Sequence, residues 1–191
     1  MKNGEAEVER IYTFIGRFAV EFEDICHTME SGVRCILAGE GLGNEKIQEV
    51  LLAGFTAEPL RSLFHSLCYE HLKPNEEEKN IIDTVFNKFQ ELIGLRNDLL
   101  HTAWALILDI SGEEAKPIGI GVKLHKKKTG SATKQFKYGI DYFEEFYEKA
   151  RLTGKYVAKL RNCIAGCYPL TNNFKKSING EYKPLRGLCN K

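Results

Sequence analysis

The chain has 191 residues, of which 43% are hydrophobic, and its 27 basic and 26 acidic residues give a formal net charge of +1. This length and apolar content fit a single domain over residues 1–191 with a buried core. Because the net charge is close to zero, it does not indicate which kind of partner the protein binds. No apolar run approaches the roughly 18 residues of a membrane span, and the N-terminus does not resemble a signal peptide. We therefore expect a cytoplasmic protein with no membrane partner.

Apolar residues recur at intervals of three and four through the N-terminal part of the chain, which predicts a series of helices. The first spans residues 5–37 and ends at a segment with three glycines, residues 39–43. Asn44 is a suitable N-cap for a short second helix over residues 45–53. A third helix starts near residue 56 and continues to residue 72.

A fourth helix begins after Asn75, which can cap it, and the glutamates at positions 76–78 favour the positive end of the helix dipole. Its apolar positions continue at helical spacing, so we predict one long amphipathic helix over about residues 76–107. A last helix runs from residue 141 to residue 164, and a basic, weakly patterned tail occupies residues 171–191.

Three polar side chains interrupt the fourth helix. Arg96 lies on its apolar stripe, where a charge requires an anion or hydrogen-bond acceptors, because burying it unpaired costs several kcal/mol. Asn97 and His101 are four residues apart and share one face, so the amide oxygen of Asn97 can hold the His101 ring. On an ideal helix Arg96 and His101 lie roughly 140° apart around the axis and about 7.5 Å apart along it. We therefore expect these two side chains to flank a groove without touching.

These residue types suit RNA cleavage without a metal, which needs a base for the 2′-hydroxyl, an acid for the leaving oxygen and positive charge at the phosphate. His101 can perform either proton transfer near neutral pH, and Arg96 can donate two N–H groups to phosphate oxygens. Asn97 can orient His101 or bind the substrate, whereas Asp98 is expected to pair with a neighbouring cation. The sequence supplies no conventional metal cluster, and we expect no cofactor.

The other histidines and the cysteines lack the spacing of a metal site. His65 and His71 are six residues apart on the third helix, so we expect both to be half exposed on opposite sides of its surface. Cys163 and Cys167 lie one helical turn apart and could face a common ligand. The simpler interpretation is that all the cysteines are reduced, mostly buried apolar residues. The six are Cys26, Cys35, Cys68, Cys163, Cys167 and Cys189.

After the fourth helix the apolar pattern changes to alternation, first over residues 118–124 and again over residues 136–140. This predicts a β-hairpin inserted over about residues 108–140, with its turn near residues 129–131, and an extended segment at residues 106–110 could join it. The tip of the hairpin is basic, and its lysines can contact RNA phosphates through sequence-independent attraction. Alternatively, they belong to a solvated loop and protect the strand edge from aggregation. Five lysines make this region basic, and Lys126, Lys127 and Lys128 are the predicted substrate-binding residues; the other two are Lys134 and Lys137.

Residues 96–101, Arg-Asn-Asp-Leu-Leu-His, resemble the signature of the HEPN (higher eukaryotes and prokaryotes nucleotide-binding) superfamily. That signature is an arginine, four to six further residues and then a histidine near the start of the last core helix. Trp104 adds to the similarity, whereas Thr102 stands where many members carry glycine. The resemblance implies a mainly α fold, an HEPN-like helical bundle, with Arg96, Asn97 and His101 as catalytic residues.

In the HEPN ribonucleases that this sequence resembles, two copies of the motif meet across a dimer interface. The resemblance therefore implies a homodimer in which both copies of Arg96 and His101 bracket one phosphate, leaving a 2′,3′-cyclic phosphate and a 5′-hydroxyl. It implies a metal-independent endoribonuclease, of a kind found among toxins and anti-phage effectors, with RNA as substrate and an antitoxin or other regulatory protein as partner. The alternative is a noncatalytic HEPN module that binds nucleotide or a protein.

Overall fold

The computed structural model describes residues 2–109, 116–127 and 130–190. Over these ranges the chain is mainly α-helical, as predicted, with five helices and two small antiparallel sheets. The helices are α1 (Lys2–Gly39), α2 (Glu45–Leu52), α3 (Ala57–Leu72), α4 (Glu76–Leu100) and α5 (Ile140–Ala165). The strands are β1 (Ala103–Asp109), β2 (Lys116–Lys127), β3 (Gly130–Gly139), β4 (Phe174–Lys176) and β5 (Tyr182–Pro184). No described helix is long and apolar enough to cross a membrane.

The chain divides into two compact units. The first, here called the motif unit, consists of Met1–Glu21 and Gly94–Arg151 and contains residues 96–101 and strands β1 to β3. The second, here called the tail unit, consists of Phe22–Ile93 and Leu152–Lys191 and contains α2, α3 and the C-terminal tail. The tail is not structureless, since β4 and β5 pair within it.

The tail unit has a core of aromatic and aliphatic side chains at the three-to-four spacing that the sequence shows. Phe22 of α1 stacks on Phe89 of α4 with 5.5 Å between ring centroids, and Phe64 of α3 meets Phe86 edge-on at 5.4 Å. Gly32 permits this packing, because a Cβ atom at that position would lie 2.4 Å from the Phe64 ring. The buried apolar residues therefore explain why α1, α3 and α4 form as amphipathic helices.

The predicted starts of α2 and α4 are confirmed by their caps. The Asn44 side-chain oxygen accepts a hydrogen bond from the Ile47 amide at 3.2 Å. Asn75 accepts from the amides of Glu77 and Glu78 at 2.9 and 3.0 Å, and the Glu78 carboxylate accepts from the Asn75 amide in return. This reciprocal arrangement is a capping box, and it fixes the start of α4.

The predicted end of the fourth helix is wrong. Helix α4 ends at Leu100, and the residues expected to continue it form β1, which pairs antiparallel with β2. Two side chains just beyond the helix occupy its last carbonyl oxygens: the Thr102 hydroxyl donates to Asp98 and the Trp104 ring nitrogen donates to Leu99 at 2.7 Å. The apolar spacing continued past Leu100 because alternating strand residues happened to match a helical pattern.

Strands β1, β2 and β3 form a sheet in that order, and its packed face combines aromatic residues with glycine. Trp104 is paired with Gly121, which is paired with Phe136 on β3. A Cβ atom on Gly121 would lie 2.7 Å from the Trp104 ring, so only glycine admits the indole here. Ile118, Ile120 and Val122 alternate with the two glycines of β2 and lie on the opposite face, where Val122 is 38% exposed. The predicted turn at residues 129–131 lies partly outside the described residues.

Candidate active site at the end of helix α4

Arg96 and His101 are in direct contact at the C-terminal end of α4. The distance from Arg96 Nη1 to His101 Nε2 is 2.6 Å. The expectation that the two side chains would flank a groove without touching is wrong, because it assumed helical geometry through residue 101. Since α4 ends at Leu100, His101 lies in the following turn, and its ring reaches back to the last helical turn.

The chemistry of this contact fixes the position of the histidine proton. A guanidinium stays protonated and has only donors, so Arg96 donates and His101 Nε2 must accept. In this arrangement the imidazole is therefore neutral, and its proton is on Nδ1. The lone pair of Nε2, which a general base would use, points at the guanidinium.

Asn97 holds Arg96 rather than His101. Its side-chain oxygen accepts a hydrogen bond from Arg96 Nη1 at 3.4 Å, so the structure differs from the predicted bond between this amide and the imidazole. The reason is again the end of the helix, which removes the one-turn spacing between Asn97 and His101. The same guanidinium nitrogen thus lies between the amide oxygen and the ring.

Asp98 pairs with a cation, as predicted, and the cation is Lys123 of β2. The Lys123 ammonium donates to Asp98 Oδ1 at 2.9 Å and to the Asn97 carbonyl oxygen at 2.8 Å. The side chains are 16% exposed for Lys123 and 35% for Asp98. We term this double contact the Lys123 tether. It attaches the motif residues to the sheet, and nothing local in the sequence indicated it, because its ends are 25 residues apart.

Two further side chains support the motif from β1 and the turn before it. Thr102 is buried at 8% exposure and donates to the last turn of α4, and Trp104 donates to the same turn. The Trp104 ring packs edge-on against Phe143 of α5, 5.4 Å between centroids, and lies against Gly121. Thr102 therefore has a structural role at the end of α4.

The motif residues are accessible from solvent. Asn97 and His101 are exposed, and Arg96 is half-buried. A phosphodiester can therefore approach the imidazole and the amide without a rearrangement of the core. Arg96, which the apolar stripe predicted as a buried charge, is half-buried: its Nε is enclosed by the protein, whereas its Nη1 contacts the exposed His101.

The predicted RNA-binding lysines lie on or beyond β2. The backbones of Lys126 and Lys127 pair with Ser131 and Gly130, but their side chains lie outside the described part of the structure, as does Lys128 entirely. Lys126 follows Lys123 by three residues, which is about 10 Å along an extended strand. The basic end of β2 therefore begins about 10 Å from the residue that contacts Asp98.

The histidines of α3 are half-buried at its surface, as predicted, and each contacts a carboxylate. His65 Nε2 lies 2.9 Å from Asp83 Oδ1, which also accepts from the Tyr69 hydroxyl at 2.8 Å. Burial and the Asp83 carboxylate raise the pKa of Tyr69 to about 12. A shallow cavity of about 310 Å³ adjoins His65 and Tyr69. Sequence reasoning missed this cluster because Asp83 lies on another helix, where it resembles an ordinary surface carboxylate.

Metal-binding geometry is not found in the described part of the chain, where no three His, Cys, Asp or Glu side chains come together as a ligand set. All six cysteines are free thiols. Only Cys68 and Cys163 are buried, so the expectation that the cysteines are mostly buried is wrong. Cys167 is exposed and follows the end of α5, so it does not share a helical face with Cys163.

Comparisons of this chain with protein-family models, with curated proteins and with solved structures give no match. The resemblance to the HEPN superfamily therefore depends on residues 96–104. A functional proposal must follow from the geometry of those residues.

Proposed function

We propose that this chain is a metal-independent endoribonuclease of the HEPN type, with Arg96, Asn97 and His101 in a composite active site at a homodimer interface. The observation that supports the proposal is the 2.6 Å contact between the Arg96 guanidinium and the His101 imidazole at a solvent-facing helix end. A guanidinium that donates to a neutral imidazole remains positively charged, and its planar set of donors matches the oxygens of a phosphate.

The contact also suggests how substrate would activate the histidine. A phosphate oxygen is a stronger acceptor for a guanidinium than a neutral imidazole, so a bound phosphodiester competes with His101 for Arg96. When the guanidinium turns to the phosphate, the Nε2 lone pair is released and can accept the 2′-hydroxyl proton. Arg96 then stabilises the negative charge on the phosphate in the transition state. Asn97 limits the movement of the guanidinium through its side-chain oxygen.

A second copy of the motif completes the chemistry. Among the described side chains one protomer provides one histidine at the site, whereas cleavage requires a base for the 2′-hydroxyl and an acid for the leaving 5′-oxygen. A second His101 in a homodimer supplies the missing group, and the products are a 2′,3′-cyclic phosphate and a 5′-hydroxyl. The lysines at 126–128 would contact phosphates along the same RNA. A cytoplasmic toxin or anti-phage effector controlled by an antitoxin or another protein fits this activity.

The test is cleavage of RNA by the purified protein in the presence of EDTA. His101→Ala and Arg96→Ala should each lower the cleavage rate by at least about 100-fold, because each removes a group that acts in the transition state. Asn97→Ala should cost about tenfold, the effect of losing roughly 1.4 kcal/mol of positioning. His27→Ala is the matched control, since His27 is 86% exposed on α1 and lies in the tail unit.

Light scattering measured on the same samples distinguishes a loss of catalysis from a loss of the dimer. Both active-site variants should keep the wild-type mass of a dimer and the wild-type circular dichroism. The products should carry a cyclic phosphate, which mass spectrometry identifies. Unchanged cleavage in both variants would end the catalytic assignment.

A noncatalytic HEPN module is the second candidate, and one observation favours it. Arg96 and His101 contact each other within one protomer, as two residues that only stabilise the helix end also would. This alternative predicts no cleavage by the wild-type protein under any of these conditions. It also predicts that Arg96→Ala weakens the binding of a nucleotide, measured by calorimetry, while His101→Ala leaves that binding intact.

A further inference from the structure

Hydrogen bonds hold the backbone of the C-terminal tail on both sides of Cys189, from Lys159 of α5 on one side and from Asn173 on the other. On the N-terminal side, the Lys159 ammonium donates to the carbonyl oxygens of Gly187 and Leu188 at 2.9 and 3.5 Å. Lys159 is 7% exposed, so its charge is buried and depends on these acceptors. This contact holds the backbone immediately before Cys189.

On the C-terminal side, Asn173 makes a two-way contact with Asn190. Its side-chain nitrogen donates to the Asn190 carbonyl oxygen at 2.9 Å, and its side-chain oxygen accepts from the Asn190 amide at 2.7 Å. Asn173 is fully buried, and the same nitrogen also donates to Pro169 at 2.8 Å. The backbone immediately after Cys189 is therefore held as firmly as the backbone before it.

Between these two contacts the Cys189 thiol faces the thiol of Cys163 on α5. The two sulfur atoms are 3.7 Å apart. A disulfide requires about 2.0 Å, so the sulfurs must approach by roughly 1.7 Å. Because Gly187 and Leu188 are exposed, the approach does not require either of these residues to leave a packed position.

We propose that Cys163 and Cys189 form an oxidation site, where thiol–disulfide exchange with a small-molecule disulfide creates a bond that staples the C-terminal tail to α5. This proposal does not depend on the ribonuclease assignment. The reaction consumes one small disulfide, RS–SR, and releases two RSH. Two electrons pass from the pair of protein thiols to the small disulfide, and the two thiol protons go to the released sulfurs.

The structure assigns an order to the two steps. Cys189 is half-buried and attacks first, so its sulfur bonds to one RS group and the other leaves as thiolate. Cys163 is 1% exposed and out of reach of a bulky reagent. Burial and the neighbouring Cys189 raise the pKa of the Cys163 thiol to about 12, which further disfavours it as the first nucleophile. Cys163 then attacks the Cys189 sulfur and displaces the second RS group.

The experiment treats the folded full-length protein with oxidised glutathione, blocks remaining thiols, and maps disulfides after tryptic digestion without reduction. Cleavage after Arg161, Lys175 and Arg186 places Cys163 in the peptide 162–175 and Cys189 in the peptide 187–191. Because Cys167 is also in the peptide 162–175, the mapping is repeated with Cys167→Ser. We expect the two peptides to be linked in most molecules of both the wild type and this variant.

The single variants test the order of the steps. Cys163→Ser should abolish the linked peptides and leave glutathione attached to Cys189, whereas Cys189→Ser should leave Cys163 unmodified while the protein is folded. The wild-type mapping needs no variant, so a substitution that fails to fold does not affect it. Two results would overturn the proposal. One is the loss of the linked peptides in Cys167→Ser, and the other is an equal level of glutathione on Cys189 with and without Cys163.

Discussion

Replacing Lys123 with methionine is expected to loosen the end of α4 that carries the candidate site. The Lys123 tether consists of two hydrogen bonds, at 2.8 Å to the Asn97 carbonyl oxygen and at 2.9 Å to Asp98 Oδ1. Methionine keeps a flexible apolar side chain of similar length but has no donor. The substitution therefore removes both contacts of the ammonium without opening a large cavity.

The size of the effect follows from the burial of each contact. A hydrogen bond from a charged donor to a neutral oxygen contributes about 1.5 kcal/mol. The ion pair adds about 0.5 kcal/mol, because Asp98 is 35% exposed and solvent screens the attraction. We therefore expect the free energy of unfolding to fall by about 2 kcal/mol. For a chain of this size that lowers the melting midpoint by about 4–8 °C.

Trp104 makes the measurement local. It is the only tryptophan in the sequence, and its ring nitrogen donates to Leu99 in the last turn of α4. Its fluorescence during urea unfolding therefore reports on the motif unit. Lys155→Met, an exposed position on α5, is the matched control and should change the free energy by less than about 0.5 kcal/mol. A loss in Lys123→Met no larger than in this control would refute the tether.

Three further outcomes are expected. Gly121→Ala should destabilise the protein by about 1–3 kcal/mol in the same urea assay, because its Cβ atom would lie 2.6 Å from a buried threonine, whereas Gly139→Ala meets nothing within 4 Å and should not. Replacing the lysines at 126–128 with glutamine should weaken RNA binding and lower its salt slope by about 2, whereas an unchanged slope would indicate a solvated loop. The pKa of Tyr69 is raised, so its neutral form stabilises the fold below about pH 10, and this stabilisation is lost as the pH rises toward 12. Tyr69→Phe should remove one delayed tyrosine ionisation from an ultraviolet titration, and an unchanged titration would contradict the assignment.

The helices and their starts could be predicted from the sequence because the signals are local. Apolar spacing of three and four located α1 to α5, and the caps at Asn44 and Asn75 lie within three residues of the amides they bind. The alternation that predicted strands was also local and located β2 and β3. It did not identify the packed face, because Gly119 and Gly121 have no side chain to count as apolar.

The Lys123 tether at the candidate site and the Cys163–Cys189 pair in the tail unit could not be predicted in this way, because each joins residues that are far apart in the sequence. Lys123 and Asp98 are separated by 25 residues, and Cys163 and Cys189 by 26. Periodicity cannot show such pairs, since each partner by itself resembles an ordinary surface or core residue. The residue types themselves single out the site instead. A charge on an apolar helix face is costly, so Arg96 is expected to have a partner, although the sequence pattern does not show which residue it is.

The end of α4 is what brings the Arg96 and His101 side chains together. Had the helix continued to residue 107, the five-residue interval would have turned the two side chains roughly 140° apart. Thr102 and Trp104 stop the helix by binding its last carbonyl oxygens, and the Lys123 tether holds the terminal turn to the sheet. Because these contacts leave His101 outside the helix, its ring can reach Arg96. A substitution that extends the helix should therefore separate the pair, even though it changes neither residue.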